Sequence, residues 1–418
     1  MTAAPASQLV MLNAGSSSLK VACFSAGAQP GELMRAEIQD LGLPQAQWHR
    51  LGSPAIQPLS ADREAATAYA LAECAKHGAV VAVGHRIVHP GLTIRDHQPI
   101  TEEVEAQLHQ AVELDRSHLP AALAVLSRAR TAFPGAQHIA CLDTVFHRDM
   151  PVPAQLLGIP RAWRERGVRR LGFHGLSYTF LMQELERRDG PEAAAGRVVL
   201  AHLGSGASMA GVRDRCCLDT SMGFTASAGL LMATRPGDLD PGALAYMVRQ
   251  DHLDSAQLDA LLTERCGLRG VSGLSGRMQE LLQRAGADPA AGDAVALFIH
   301  QARRWLGSLV IALGGLDTLV FSGGIGEHAP EIRAGIVAQL DFLGVAIDAD
   351  ANRRHAEVIS TPASRVRVRI LSTDEEAVMA DITRRIAAPQ RPVPSPPSGN
   401  PEHHQLNQPN QPQQSTPG

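Results

Sequence analysis

Residues 8–13, QLVMLN, run into the small-residue loop AGSSS and then into LKVACFS at 19–25; far along the chain, VVLAHLG at 198–204 passes through Ser205 and Gly206 into ASMAGV at 207–212. Each apolar run is short and is bounded by turn-forming residues, which is the pattern of a buried strand rather than a long helix. The unit strand, short Gly/Ser loop, strand therefore occurs twice, without any residue-level repeat between the copies. It predicts two halves built alike. Helical patterns alternate with such runs. Thr101 stands before the acidic turn Glu102-Glu103, with Val104, Leu108 and Val112 on one face, as expected of a capped amphipathic helix. Ile332, Ile336, Val337 and Leu340 recur at helical spacing and predict a helix over 332–340. Strands and helices mixed along the whole chain imply an α/β protein.

The chain has 418 residues, 44% of them hydrophobic, 19% charged and 4% aromatic, with a formal net charge of -4. That length suggests two or three domains, each with room for a core of aliphatic residues. The charge balance argues against a broad nucleic-acid surface. No apolar run reaches the roughly 18 residues of a membrane span, and the start MTAAPASQLVML lacks a basic signal-peptide region. A cytoplasmic protein, with no membrane or nucleic-acid partner, is the simplest expectation. The six cysteines form no CxxC pair, so reduced structural thiols are expected. Of 38 basic residues only Lys20 and Lys76 are lysines, so a lysine in a marked position carries weight. Residues 388–418 are dominated by Pro, Gln, Asn and Ser and predict a disordered tail.

Three loops suit phosphate. In 13–20, NAGSSSLK places the hydroxyls of Ser16 and Ser18 and the ammonium of Lys20 beside a turn; such hydroxyls, a point-charge lysine and turn N–H groups suit phosphate oxygens. HLGSG at 202–206 occupies the matching turn of the second half, and FSGGIGEH at 321–328 follows the strand candidate LDTLV. A glycine loop entering a helix N-terminus is an anion platform. A Walker A loop is excluded, because no Gly-Lys pair exists. His147-Arg148-Asp149 mimics a protein-kinase catalytic loop, but Ala154 stands where its Asn belongs. His85 and His89 lie four apart in a strand-like context without HExxH, which favours packing over zinc. Arg86, Asp143, His174, Arg235 and the pair Glu375-Glu376 all sit near glycines. Together they make a phosphoryl-transfer kit, cations for the moving charge and carboxylates for magnesium.

NAGSSSLK, GHRIVHPG, DTVFH, RRLGFHG, HLGSGAS, DTSMGFT, TRPGDLDPG, SGGIGEH and TDEEAVMA follow one another in this chain. In kind and order they resemble the motifs of the acetate kinases, from about residue 8 to about residue 385. The resemblance implies the actin/hexokinase/Hsp70 (ASKHA) fold, with two related ribonuclease-H-like α/β domains and a cleft between them. The domains expected are residues 1–146 plus 375–387, then 147–374, with the tail at 388–418. It also implies ATP/ADP and Mg²⁺ (Mn²⁺ as an alternative), a short-chain carboxylate substrate and a homodimer.

Position by position, the resemblance makes Asn13 and Glu375 the magnesium-site residues and Lys20 an ATP contact. It gives Arg86 the substrate carboxylate, makes Asp143 the catalytic aspartate, and sets His174 and Arg235 on the transferring phosphoryl group. His202, Leu203, Gly204, Ser205 and Gly206 form the phosphate loop, and Gly324, Ile325, Gly326, Glu327 and His328 the adenosine-side loop. Val88 and Phe173 fall in the pocket for the alkyl group of the acid. Departures from the family pattern are also present. Ser205 replaces an Asn, Ser117 in DRSHLP replaces the pocket leucine, and Ala226 in TASAG replaces the pocket proline. Arg277 and Gln279 flank Met278 where Asp and Arg are usual near the base. The expected reaction is reversible transfer of the ATP γ-phosphoryl to acetate, with propionate or another short acid as the alternative. A non-enzymatic ATP-dependent clamp on the same fold would leave Arg86, His174 and Arg235 without a task. An ionised carboxylate is already a nucleophile, so positioning and charge stabilisation carry the expected catalysis.

Overall fold

The computed structural model describes residues 7–15 and 17–388. Ser16 and, apart from Ala388, the predicted tail lie outside them. The first sheet has eight strands: β1 (Ser7–Ala14), β2 (Leu19–Ser25), β3 (Glu32–Gln39), β4 (Gln47–Arg50), β5 (Ile56–Pro58), β6 (Ala79–Ile87), β7 (Gln98–Pro99) and β8 (Gln137–Leu142). Their order is β5-β4-β3-β2-β1-β6-β8-β7. The second has five: β9 (Val198–Leu203), β10 (Ala207–Arg213), β11 (Cys216–Thr220), β12 (Thr318–Ser322) and β13 (Arg367–Ile370), in the order β11-β10-β9-β12-β13.

The two sheets share one plan. In the first, β1, β2 and β3 are antiparallel neighbours, and β6 and β8 continue in parallel from β1. In the second, β9, β10 and β11 are antiparallel and β12 and β13 continue in parallel. The two halves expected from the sequence are therefore built alike, and each opens on a hairpin whose turn is one of the Gly/Ser loops.

Both central strands are apolar on both faces because helices cover both sides. Along β1, Val10 and Leu12 pack with Ala70 and Leu71 of the helix Arg63–Ala75 and Val125 of the helix Leu119–Ala132. The alternate residues, Leu9 and Met11, pack with Val378, Met379 and Ile382 of the helix Glu375–Ala387. Along β9, Val199 and Ala201 meet Phe298, Ala302 and Leu306 of the helix Pro289–Leu313, while Val198 and Leu200 meet Leu181 and Leu185 of the helix Gly175–Asp189. This last helix serves both sheets, because its Leu176 joins the cluster around Met11 and Met379. The helix 289–313 starts where Asp288 accepts from the Ala290 N–H and ends at Gly314 in the left-handed region, φ 74°.

Local signals translate with two boundary corrections. Thr101 Oγ1 accepts from the Val104 N–H and starts a helix over Glu102–Gln110, with Val112 in the following 3₁₀ turn. The helix predicted over 332–340 is Pro330–Val337. It stops early because Ala338 turns extended and Gln339 takes φ 64°, so Leu340 lies beyond it. The stretch after Ser322 is not an open glycine loop but a short helix, Gly323–His328. All six cysteines are unbridged. Among the described residues no helix is long and apolar enough to cross a membrane.

Candidate active site

The hairpin turns of both sheets line one cleft of about 1260 Å³. From the first sheet come Asn13 at the end of β1, Gly15 and Ser18 in the turn, Lys20 on β2 and Arg86 on β6. Asn13 and Lys20 are register partners, so the antiparallel pairing itself sends both side chains to the same face of the sheet. From the second sheet come His202, Gly204, Ser205 and Gly206, with Gly324, Ile325, Glu327 and His328 after β12. Arg277, Met278 and Gln279 line the wall where the helix Met278–Arg284 begins, and His174, Arg235 and Glu375 complete it.

His174 and Arg235 converge on the second hairpin turn. A Cβ placed on Gly206 would lie 2.9 Å from Arg235 Nη2 and 3.3 Å from His174 Nε2. Only a glycine leaves both groups room there. Arg235 is held from behind, where its Nη1 donates to the Ala226 carbonyl at 2.6 Å. The His174 and His202 rings lie 4.4 Å apart between centroids. Burial first, then His202, Arg86 and Arg235, holds His174 well below the usual histidine range. Burial likewise brings His202 down to about 4 and Arg235 to about 10. At neutral pH His174 and His202 are therefore neutral imidazoles and Arg235 is protonated.

The first-sheet wall is an ionic network. Arg86 donates from Nε to both Asp143 oxygens at 3.1 Å and from Nη2 to Oδ2 at 2.6 Å. Its Nη1 donates to Asn13 Oδ1 at 3.1 Å and lies 3.5 Å from Glu375 Oε2. Asn13 Nδ2 donates to Glu375 at 3.2 Å and to Glu376 at 2.8 Å, and Arg35 ties Glu376 and Asp374 down from behind. Burial pushes the Asp143 carboxyl up while Arg86 opposes it; Glu375, also penalised by burial, is held below its usual value by Arg86, His202 and Lys20.

These residues bear on a hard cation. Asn13 gives its oxygen to Arg86 and Glu376 is engaged by Arg35, so Glu375 is the carboxylate that the wall offers most directly. Among the described residues no three His, Cys, Asp or Glu side chains form a closed metal cage. Magnesium is usually bound by one or two carboxylates with water and phosphate oxygens, and this donor set fits that open mode.

Other predicted residues stand outside the cleft lining. Asp143 is fully buried behind Arg86. Val88 and Phe173 are buried in the core of the second half, and Ala226 packs against that core. Leu203 points into the same core, Gly326 is buried, and Ser117 lies half-buried before the helix 119–132. The cleft also includes His118, which sequence reasoning passed over. Its Nδ1 sits 2.9 Å from Asp115 Oδ1; the local signal for it is the histidine beside Ser117 in DRSHLP. The decoys resolve as packing. His85 Nε2 meets His138 Nδ1 at 2.9 Å, and His147 Nε2 meets the Phe173 carbonyl at 2.9 Å.

Two ribonuclease-H-like sheets of one plan, with both hairpin turns on a shared cleft, define the actin/hexokinase/Hsp70 class of fold. Within that class, the acetokinase family model matches residues 8–381. An acetate kinase of Methylocella silvestris is 44% identical over 301 residues, 72% of this chain and 74% of that protein. A propionate kinase of Escherichia fergusonii is 36% identical over 403 residues, 92% of this chain and 97% of that protein. The crystal structure of Porphyromonas gingivalis acetate kinase superposes with a TM-score of 0.79 at 31% identity, covering 91% of this chain and 100% of that one. The chain belongs to the acetokinase family.

Proposed function

We propose that this chain is an acetate kinase, transferring the γ-phosphoryl of ATP reversibly to acetate to give acetyl phosphate and ADP. The observation that carries this reading is the convergence of Arg235 Nη2 and His174 Nε2 on Gly206. A guanidinium and an imidazole nitrogen aimed at one point beside a phosphate-type turn suit a phosphoryl group whose charge spreads over its equatorial oxygens. Arg86 receives the carboxylate of the acid, and Asp143 orients Arg86. Lys20, Ser18 and the 202–206 turn bind the phosphate chain. Arg277, Met278, Gln279 and the stretch 324–328 border the base. Glu375, with the second lone pair of the Asn13 Oδ1 that also accepts from Arg86, would hold Mg²⁺, which when bound supplies charge neutralisation on the β- and γ-phosphates. Ser117 and Ala226, smaller than the usual residues, would leave room for propionate as a second acid.

The domain division at 146/147 and 374/375 belongs to the same reading, and the packing of the helix 375–387 on β1 supports it. So does a homodimer. The helices Pro241–Asp251 and Ser255–Ala260 contain no buried residue, although they carry Leu244, Tyr246, Met247, Val248 and Leu258. A second copy covering them would remove that apolar surface from water. We place the enzyme in the cytoplasm. The test is hydroxylamine trapping of acyl phosphate with ATP, Mg²⁺ and acids of one to six carbons. Hydroxamate from acetate is expected; slow ATP hydrolysis with no hydroxamate from any acid would exclude a kinase and favour the clamp.

A further inference from the structure

His174 opens the helix Gly175–Asp189 with its backbone in the left-handed region, φ 59°. One turn later, the Tyr178 N–H donates to the His174 carbonyl at 2.9 Å. The Tyr178 phenol hydrogen-bonds Ser208 Oγ on β10, and Ser208 Oγ lies 2.9 Å from His174 Nδ1. Tyr178 and Ser208 are both wholly buried.

Counting protons gives this chain a direction. Among the described residues the Tyr178 phenol has one hydrogen-bond partner, Ser208 Oγ. Burial drives the phenol well up, so the phenol keeps its single proton. That proton needs an acceptor, and the one in reach is Ser208 Oγ. Ser208 then directs its own proton to its remaining neighbour, His174 Nδ1. A neutral imidazole that accepts at Nδ1 carries its proton at Nε2. Nε2 is the atom that faces Gly206 and Arg235.

We infer that Tyr178 and Ser208 are positioning residues that hold His174 as the Nε2–H tautomer, a neutral donor aimed at the transferring phosphoryl group. The last clause rests on the kinase reading above; the tautomer does not. Without the relay, a share of His174 would turn a lone pair toward the phosphoryl oxygens, and like-signed partial charges would face each other. The cost falls on the transition state, where oxygen charge changes, rather than on substrate binding. One helical turn thus supplies both the histidine and the hydroxyl that sets its proton.

The experiment is long-range ¹H–¹⁵N correlation of histidine-labelled protein at pH 7.5, with His174 identified by the peaks lost in His174→Gln. The expected spectrum has a protonated Nε2 and an unprotonated Nδ1. In Tyr178→Phe and Ser208→Ala the two nitrogen shifts should move toward each other. In both variants kcat should fall about tenfold, with KM for ATP and for the acid within about twofold. A proton on Nδ1 in the wild-type protein overturns the inference even if neither variant folds. So does a fall in kcat without a change in tautomer, or unchanged kinetics with the tautomer lost. The expected tautomer in a protein that makes no acyl phosphate would sink the kinase reading and leave the relay standing.

Discussion

Arg86 and Arg235 both line the cleft, yet their neighbours give them different work. Among the described residues Arg235 has no carboxylate in hydrogen-bonding contact; it is anchored by the Ala226 carbonyl and aims Nη2 at the turn. Arg235→Lys replaces a planar fork by a point charge, and kcat should drop on the order of 10²–10³-fold. KM for the acid should move less than about threefold, as steady-state kinetics would show. A variant turning over like wild type would refute a transition-state role. Arg86 is bound up with buried Asp143. Arg86→Ala should therefore raise KM for the acid and also cost about 3–5 kcal/mol of stability, because it strands a buried carboxylate. Urea unfolding should show part of that loss recovered in Arg86→Ala/Asp143→Ala. Equal stability of the single variant and wild type would mean that water repairs the site. The chemical types at these positions were legible in the sequence, but the pairing was not, since the partners stand 57 residues apart, Arg86 on β6 and Asp143 just past the end of the neighbouring parallel strand β8.

At the scale of elements, two glycines separate packing from chemistry. Gly175 begins its helix against the Asp143 carbonyl, which accepts from the Gly175 N–H at 2.8 Å. A Cβ there would drive into that backbone oxygen. Gly175→Ala should lower the melting temperature by roughly 5 °C or more, because neither backbone can yield cheaply. At Gly206→Ala the atoms nearest the new Cβ are the ends of the Arg235 and His174 side chains. They can swing aside, so melting should stay within about 2 °C while kcat falls at least about tenfold. Scanning fluorimetry beside kinetics distinguishes the two, and the reverse pattern would contradict these packing roles. The hairpins were readable because short apolar runs and a Gly/Ser turn between them are local signals. The short helix 323–328 was not: Gly323 takes φ 75° against the Leu203 backbone, a constraint from the neighbouring strand that no local pattern reveals.

For the molecule as a whole, buried histidines link folding to acid. His147 and His202 are held at about 4 in the folded protein, chiefly by burial, against 6.5 for an ordinary histidine. Between those values the unfolded chain binds the extra protons, so stability rises with pH through that window. The contribution is complete above about pH 6.5 and is lost as pH falls toward about 4. Each histidine contributes up to roughly 3 kcal/mol. The urea midpoint should be flat from about pH 7 to 8 and fall steeply from about 6.5 to 5. His147→Gln should shallow that fall, and a midpoint unchanged at pH 5 would show that these rings are not held neutral.

What the sequence determined by itself was everything encoded within a few residues of the chain. Short apolar runs marked the strands, helical spacing marked the helices, Gly/Ser turns marked the two matching hairpins, and motif order marked the family. Tertiary structure alone decided which side chains face which. It put Asp143 behind Arg86, brought His118 to the cleft wall, left Val88 and Phe173 in the core, and stacked Tyr178 and Ser208 behind His174. The physical reason is range. Backbone propensity and burial period act between near neighbours, whereas desolvation, ion pairing and proton direction depend on groups from distant segments meeting in one water-poor place.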